Sequence, residues 1–367
     1  MRRLTLLCAG GLLLLVGLAP PSLGGDRPFG AARLYLQRKL APAPEELATG
    51  QGFSGNKGSK LSKTQIERFR CESSGNPAIS VDMSCNTTEF GQNYNPDNEI
   101  AIAVDPTDPD HLLAGSNDYY YRFNNSTGAR QAIILTGFFT SFDGGATWVD
   151  GQIPVRSGNG AGDPAPAFSQ RDDLALMAQL ENTAGQGGLA VSQGDVSVSR
   201  SEDGGLTWSE PVTVFKGQGA GIGPANNAVF WDKEYIAVDN NPASPSYGRI
   251  VVTATKFLND LQGAYNSSDI FLSYSDDGGL NWSAPMDIGG VSPAFCQFQT
   301  TGADDGTCDE NQFSYPEFGA NGELYVHFLN FQHEDAWEIE FDFDSQIMVT
   351  RAEPTSGAPS FASPVQI

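Results

Sequence analysis

From about residue 95 onward, short apolar runs alternate residue by residue with polar ones and are cut by clusters of Gly, Pro, Asn and Asp. A period of two with frequent turns predicts short antiparallel strands. The runs fall into four similar units. Unit one carries strands at 100–104, 111–116 and 133–141 and one beginning at Trp148; unit two carries 165–169, 174–180, 196–201 and 208–214. Unit three carries 235–238, 249–255, 270–275 and 282–288, and unit four 314–318, 324–331, 347–351 and 361–367. The register is supported by echoes between units: Ala101-Ile-Ala-Val-Asp105 matches Tyr235-Ile-Ala-Val-Asp239, and Trp208-Ser-Glu-Pro-Val matches Trp282-Ser-Ala-Pro-Met and Phe361-Ala-Ser-Pro-Val.

One eight-residue phrase punctuates the units: Ser141-Phe-Asp143-Gly-Gly145-Ala-Thr147-Trp148, Ser201-Glu-Asp203-Gly-Gly205-Leu-Thr207-Trp208 and Ser275-Asp-Asp277-Gly-Gly279-Leu-Asn281-Trp282. Its aspartates stand at 143, 203 and 277, once per group of strands, which marks a repeat architecture. Asp-Gly-Gly makes a tight turn, since glycine supplies positive φ and the carboxylate caps nearby N–H groups. The hydroxyls join that local network, and the Trp opening the next strand packs between sheets. These residues read as structural fasteners rather than catalytic acids.

The phrase Ser-x-Asp-x-Gly-x-Thr-Trp resembles the Asp-box, or BNR repeat, of the sialidase superfamily; two copies fit throughout and the third has Asn281 for Thr. The resemblance implies an all-β fold, an Asp-box β-propeller with four blades visible over 95–367 out of the six of a sialidase-like ring. Either the segment from Cys71 to Gln92 helps close the ring or the chain is a C-terminally truncated fragment. Nothing near Ile367 resembles a closing strand, which favours the fragment. The resemblance also implies exo-sialidase-like glycoside hydrolysis, with three arginines clamping a carboxylate, a Tyr–Glu nucleophile and an Asp acid/base. The early Arg-Ile-Pro motif of that family is absent, and Arg122, Arg130, Arg156, Arg171, Arg200, Arg249 and Arg351 match no clamp context. No catalytic residue carries over from the family.

Residues 1–25 read as a secretory signal peptide: Arg2 and Arg3, an apolar run from Leu4 to Ala19, then small residues. The run is short for a spanning helix and no later segment is apolar enough, so the mature chain is expected to be secreted without a membrane span. Residues 26–94 form a basic segment or linker, with a short helix expected at 31–40 and a disulfide loop at its end. In an exported chain, Cys71, Cys85, Cys296 and Cys308 favour two disulfides over zinc, with 71–85 and 296–308 paired by proximity among three connectivities.

Charge divides the chain. Residues 26–70 hold nine Lys or Arg against four acids, whereas residues from 71 onward hold ten against forty, within an overall net charge of −23. Such a surface repels nucleic acid and suits cations or plain solubility. The starts of the innermost strands, which line a propeller channel, are acidic: Asp97, Glu99, Asp163, Asp232 and Glu234, followed by Asn311 and Gln312. Carboxylates crowded at one opening can bind Ca²⁺, raise one another's pKa to make a general acid, or simply bond to neighbouring blades. His111, His327 and His333 lack metal-ligand spacing, and the first two read as packed strand residues. Residues 337–344 alternate acid with hydrophobe and predict a strand with one acidic face.

Two functions are expected: a secreted hydrolase acting on an extracellular glycan or glycoprotein, or a non-catalytic propeller that binds glycans or proteins. No cofactor is required; calcium is a candidate at Asp304, Asp305, Asp309 and Glu310, which cluster oxygens beside Cys308. Bound calcium predicts a melting temperature that drops on adding EDTA, and an unchanged value rules the ion out.

Overall fold

A computed structural model describes residues 97–123, 130–156, 161–183, 193–218, 228–259, 265–297, 306–332 and 345–367, with three short strands ahead of them. Those three are β1 (Arg70–Glu72), β2 (Thr87–Thr88) and β3 (Gly91–Gln92). Four meanders follow: β4 (Asp97–Asp105), β5 (Asp108–Phe123), β6 (Arg130–Ser141) and β7 (Thr147–Gln152); then β8 (Ala161–Ser169), β9 (Leu174–Thr183), β10 (Gln193–Ser201) and β11 (Val212–Phe215). The third is β12 (Ala228–Val238), β13 (Ile250–Asn259), β14 (Tyr265–Ser275) and β15 (Met286–Asp287), and the fourth β16 (Asn311–Phe318), β17 (Leu324–Asn330), β18 (Gln346–Ala352) and β19 (Val365–Gln366).

Within each meander sequence neighbours pair antiparallel, and the first strands β4, β8, β12 and β16 pack against one another in turn. The fold is a β-propeller with four described blades. Apolar residues on facing sheets fill the gaps between blades: Leu113 and Phe138 meet Met177 and Trp208, Leu176 and Val198 meet Ile250 and Val252, and Ile270 and Leu272 meet Val326 and Met348. Beyond those gaps, Ile100, Ile102 and Val104 of the first blade and Tyr325, Ile347 and Val365 of the fourth stay exposed.

The structure corrects three details of the sequence reading. Strand β1, inside the segment read as a linker, pairs with β7 and gives the first blade a fifth, outer strand. Trp208, Trp282 and Phe361 do not open strands; β11, β15 and β19 begin only after Pro211, Pro285 and Pro364, whose missing N–H delays the ladder. The first blade has no such proline, and Trp148 there lies inside β7. His327 is exposed on β17 and stacks on Tyr315 instead of packing in the core. The signal peptide, the helix expected at 31–40, Cys85, Asp304, Asp305 and the strand expected at 337–344 lie outside the described residues.

The repeated phrase closes each turn with one aspartate. Asp203 Oδ1 accepts from Ser201 Oγ at 2.8 Å, Leu206 N at 3.1 Å and Thr207 N at 2.8 Å, while Oδ2 accepts from Thr207 Oγ1 at 2.6 Å. Asp143 and Asp277 repeat the pattern, and Asn281 Nδ2 donates to Asp277 Oδ2 at 2.7 Å where the other copies use a threonine hydroxyl. Gly145, Gly205 and Gly279 have φ of 85°, 89° and 82°, a region that L side chains enter only with strain.

These turns also lace neighbouring blades together. The Gly204 carbonyl accepts from His111 Nε2 at 2.9 Å and Thr140 Oγ1 at 2.8 Å, both from the first blade. Arg171 of the second blade donates to the Tyr247 and Asp276 carbonyls of the third. Buried Arg249 pairs with Asp276 and donates to the Thr355 and Gly357 carbonyls of the fourth. Removing the carboxylate in Asp203→Ala orphans two backbone N–H groups and is expected to cost about 2–4 kcal/mol in denaturant unfolding. Thr207→Asn, which copies the third blade, is expected to stay within about 1 kcal/mol of wild type by the same measurement.

Candidate functional site

The strands run so that the Asp-box turns lie at one end of the propeller and the starts of β4, β8, β12 and β16 at the other. At that other end every inner strand breaks register once, between Asn98 and Ala101, Gly162 and Ala165, Asp232 and Tyr235, and Gln312 and Tyr315. The first extra residue of each bulge is left-handed: Glu99 at φ 53°, Asp163 at 52°, Lys233 at 52° and Phe313 at 57°. A non-glycine residue held there costs on the order of 1–3 kcal/mol and persists only where its surroundings hold it. Bulges re-aim side chains, and here the same device recurs in all four blades.

Three of the four re-aimed side chains meet. Lys233 Nζ lies 2.6 Å from Glu99 Oε2 and 3.1 Å from Asp163 Oδ2, so one ammonium joins carboxylates from two other blades. Asp163 is clamped from the first blade: its N–H donates to Asn117 Oδ1 at 2.6 Å, and Asn117 Nδ2 donates to its Oδ1 at 3.3 Å. Gly162 makes that clamp possible, because a Cβ there would stand 2.4 Å from Asn117 Oδ1.

Asp232 and Glu234 sit behind Lys233 and are buried. Both oxygens of Glu234 lack a hydrogen-bond partner. Burial, then Asp163, push Glu234 well above the usual carboxylate range. The same two causes lift Asp232 to about 7, and burial with the Asp163 hydrogen bond raises Glu99. For Lys233, burial works to lower the pKa but is outweighed by Asp163 and Glu99, so its ammonium is held more firmly than usual.

The sequence-predicted channel residues are therefore partly united. Glu99, Asp163, Asp232 and Glu234 form one cluster, whereas Asp97 accepts from Ser116 Oγ at 3.2 Å. Asn311 belongs to a buried amide lattice, donating to the Cys308 carbonyl and accepting from Asn330 Nδ2 at 2.8 Å. That lattice braces the loop closed by the Cys296–Cys308 disulfide. Of the calcium candidates, Asp309 accepts from Gln332 Nε2 at 2.8 Å and Glu310 accepts from the Tyr265 hydroxyl. Among the described residues no group of His, Cys, Asp and Glu has the arrangement to hold a metal.

Lys233 was missed in the sequence because a strand reading of Asp232-Lys233-Glu234 places it on the face opposite its neighbours. The bulge removes that alternation. Tyr265 was missed as well: it opens β14, its hydroxyl bonds to Glu310 and lies 2.8 Å from Ser268 Oγ, and burial followed by Glu310 raises its pKa. Beside it Asp269 is lifted to about 7 by burial, then by Asp287 and Asp309. Arg156, at the same end, is committed to Glu181 and Asp195.

The chain matches no protein-family model and no curated protein. Among solved structures it is similar to the intramolecular trans-sialidase from Ruminococcus gnavus, at 11% identity and TM-score 0.46, over 74% of this chain and 71% of that one. It is also similar to an α-L-arabinofuranosidase of Fusarium graminearum, at 13% identity and TM-score 0.44, and to the NanB sialidase from Streptococcus pneumoniae, at 11% identity and TM-score 0.43. Each of these two matches covers 74% of this chain, which spans 66% of the arabinofuranosidase and 52% of the sialidase.

The raised carboxyls fix the sign of a pH effect. In the fold Asp232 and Asp269 keep their protons to about pH 7, whereas unfolded they release them near the usual carboxylate value. The folded chain binds more protons in between, so stability falls as pH rises from about 4 to about 7. Burial works to raise Asp105 and Asp277, but Thr107 and His111 outweigh it at the first and Asn281 and Ser275 at the second, leaving both below the usual range. Their contribution is present above the unfolded value and is lost as pH falls below about 4. The melting temperature is expected to peak near pH 4–5 and to be lower at pH 8, with Asp232→Asn flattening the alkaline limb.

Proposed function

We propose that this propeller is an exported glycoside hydrolase that works on an extracellular glycan at the end where the inner strands begin. The observation that supports it is Lys233 Nζ joining Glu99 and Asp163, carboxylates delivered by two different blades. Both oxygens touch the same nitrogen, so they lie within about 6 Å of each other, which suits double displacement rather than the wider spacing of inverting enzymes. Glu99, raised by burial and by Asp163, is the candidate general acid. Asp163, locked by Asn117, is the candidate nucleophile, and Lys233 positions both.

A second reading rests on the Tyr265–Glu310 hydrogen bond, since sialidase-like chemistry uses a Tyr–Glu nucleophile. It lacks its clamp: among arginines with described side chains only Arg156 lies at this end, and it is paired with two acids. A non-catalytic glycan platform is the remaining alternative.

The test is hydrolysis of a panel of neutral, amino and sialylated oligosaccharides followed by reducing-end assay. Asp163→Asn is expected to lower kcat about 10³-fold or more with the fold intact by circular dichroism, and Tyr265→Phe to leave it within about threefold. Cleavage of sialosides that depends on Tyr265 would transfer the function to the second reading. Binding without any hydrolysis would leave the platform.

A further inference from the structure

Three cations with described side chains at the strand-start end are paired with acids. Lys233 is held by Glu99 and Asp163, Arg156 by Glu181 and Asp195, and Lys216 by Asp195 at 3.1 Å. Lys256 stands opposite Asp269 in the β13–β14 ladder and lies over the Phe271 ring. In the backbone ladder Asp118 pairs with Asp97, and Arg122 is four residues further along β5, about 13 Å beyond the start of β4. In sequence, the strand-joining segments 124–129, 184–192, 260–264 and 333–344 contain no Lys or Arg, and 333–344 contains six acids.

Against that background Glu234 stands out. It is 2% exposed, neither of its oxygens has a hydrogen-bond partner, and it sits beside Asp163, Asp232 and Lys233. A buried carboxyl without a partner calls for an explanation, because the lost hydrogen bonds are costly. A donor-rich cation arriving beside Lys233 would meet Glu99 and Asp163, the two acids of the cluster that keep some access to solvent.

We infer that the glycan recognised at the Glu99–Asp163–Lys233 cluster carries free amino groups, as a chain of unacetylated glucosamine does, and that acidic sugars are rejected. The inference rests on the strand-start end being the glycan site. An ammonium on the sugar meets carboxylates in a part-buried setting, where charge-assisted hydrogen bonds are strong. A sugar carboxylate would meet the same groups as like charges and find no unengaged guanidinium among the described side chains at this end.

The experiment is calorimetric titration of the full chain with glucosamine tetramer, its fully N-acetylated counterpart and sialyllactose, at low and moderate salt. The glucosamine tetramer is expected to bind at least about tenfold tighter than the acetylated one, with sialyllactose weakest. The preference should vanish in the Glu99→Gln, Asp163→Asn double variant and survive in Glu353→Gln, at the opposite end. Equal binding of the two tetramers, or tighter binding of sialyllactose, overturns the inference on the wild-type chain alone, whether or not the double variant folds. A preference that persists in a folded double variant overturns it too, as general attraction to an acidic protein. Hydrolysis of neutral chains without amine preference would sink this inference and leave the hydrolase; amine-selective binding with no hydrolysis would do the reverse.

Discussion

A single ammonium compensates the crowded acids at the propeller's axis. Glu99, Asp163, Asp232 and Glu234 come from three blades, and among the described residues only Lys233 stands with them. Their mutual repulsion has two outlets: the two acids with more access to water pair with Lys233, and the two buried behind it hold their protons. Blade spacing, the Asn117 clamp and the absence of a Cβ at Gly162 all serve to keep that compensation in place. Four left-handed bulges in register are what aim these side chains at one point.

The two ends of the molecule carry different work. At the turn end the box aspartates cap their own backbones, and His111, Arg171 and Arg249 stitch each blade to the next. At the strand-start end, Glu99, Asp232 and Asp269 are raised and Glu234 has no hydrogen-bond partner. A laced rim thus holds the strands whose opposite tips carry the left-handed bulges and raised acids, the arrangement expected when strain is confined to a functional site.

The fold was legible because turn chemistry and period-two patterning are local. Ser, Asp, Gly, Gly and Thr at fixed offsets dictate one turn, and three copies announce the repeat. Four of the five acidic candidates converge for a similar reason: each stands at the start of an apolar strand, and strand starts share an end. What escaped was whatever depends on register breaking. The bulge at 232–235 turns Lys233 from an apparent outward residue into the axial cation, and no alternation pattern reveals it. Tyr265 and Glu310 are 45 residues apart and meet only because the third strand of one blade lies against the first strand of the next. The delayed outer strands were readable in principle, since Pro211, Pro285 and Pro364 stand in equivalent places.

The exposed apolar residues on the first and fourth blades have a bearing on motion. A blade in the middle of the described series is gripped on both faces, whereas Ile102 and Val104 on one side, and Tyr325 and Ile347 on the other, are exposed and belong to none of the described apolar clusters. In a repeat array, opening free energy is set largely by nearest neighbours. Amide protons of β9 and β13 should therefore be the slowest to exchange with solvent, and protection should decline outward in both directions. The second and third blades, which supply Asp163 and Lys233, would then form the least fluctuating stretch of backbone, so the axial ion pair rests on the quietest part of the chain.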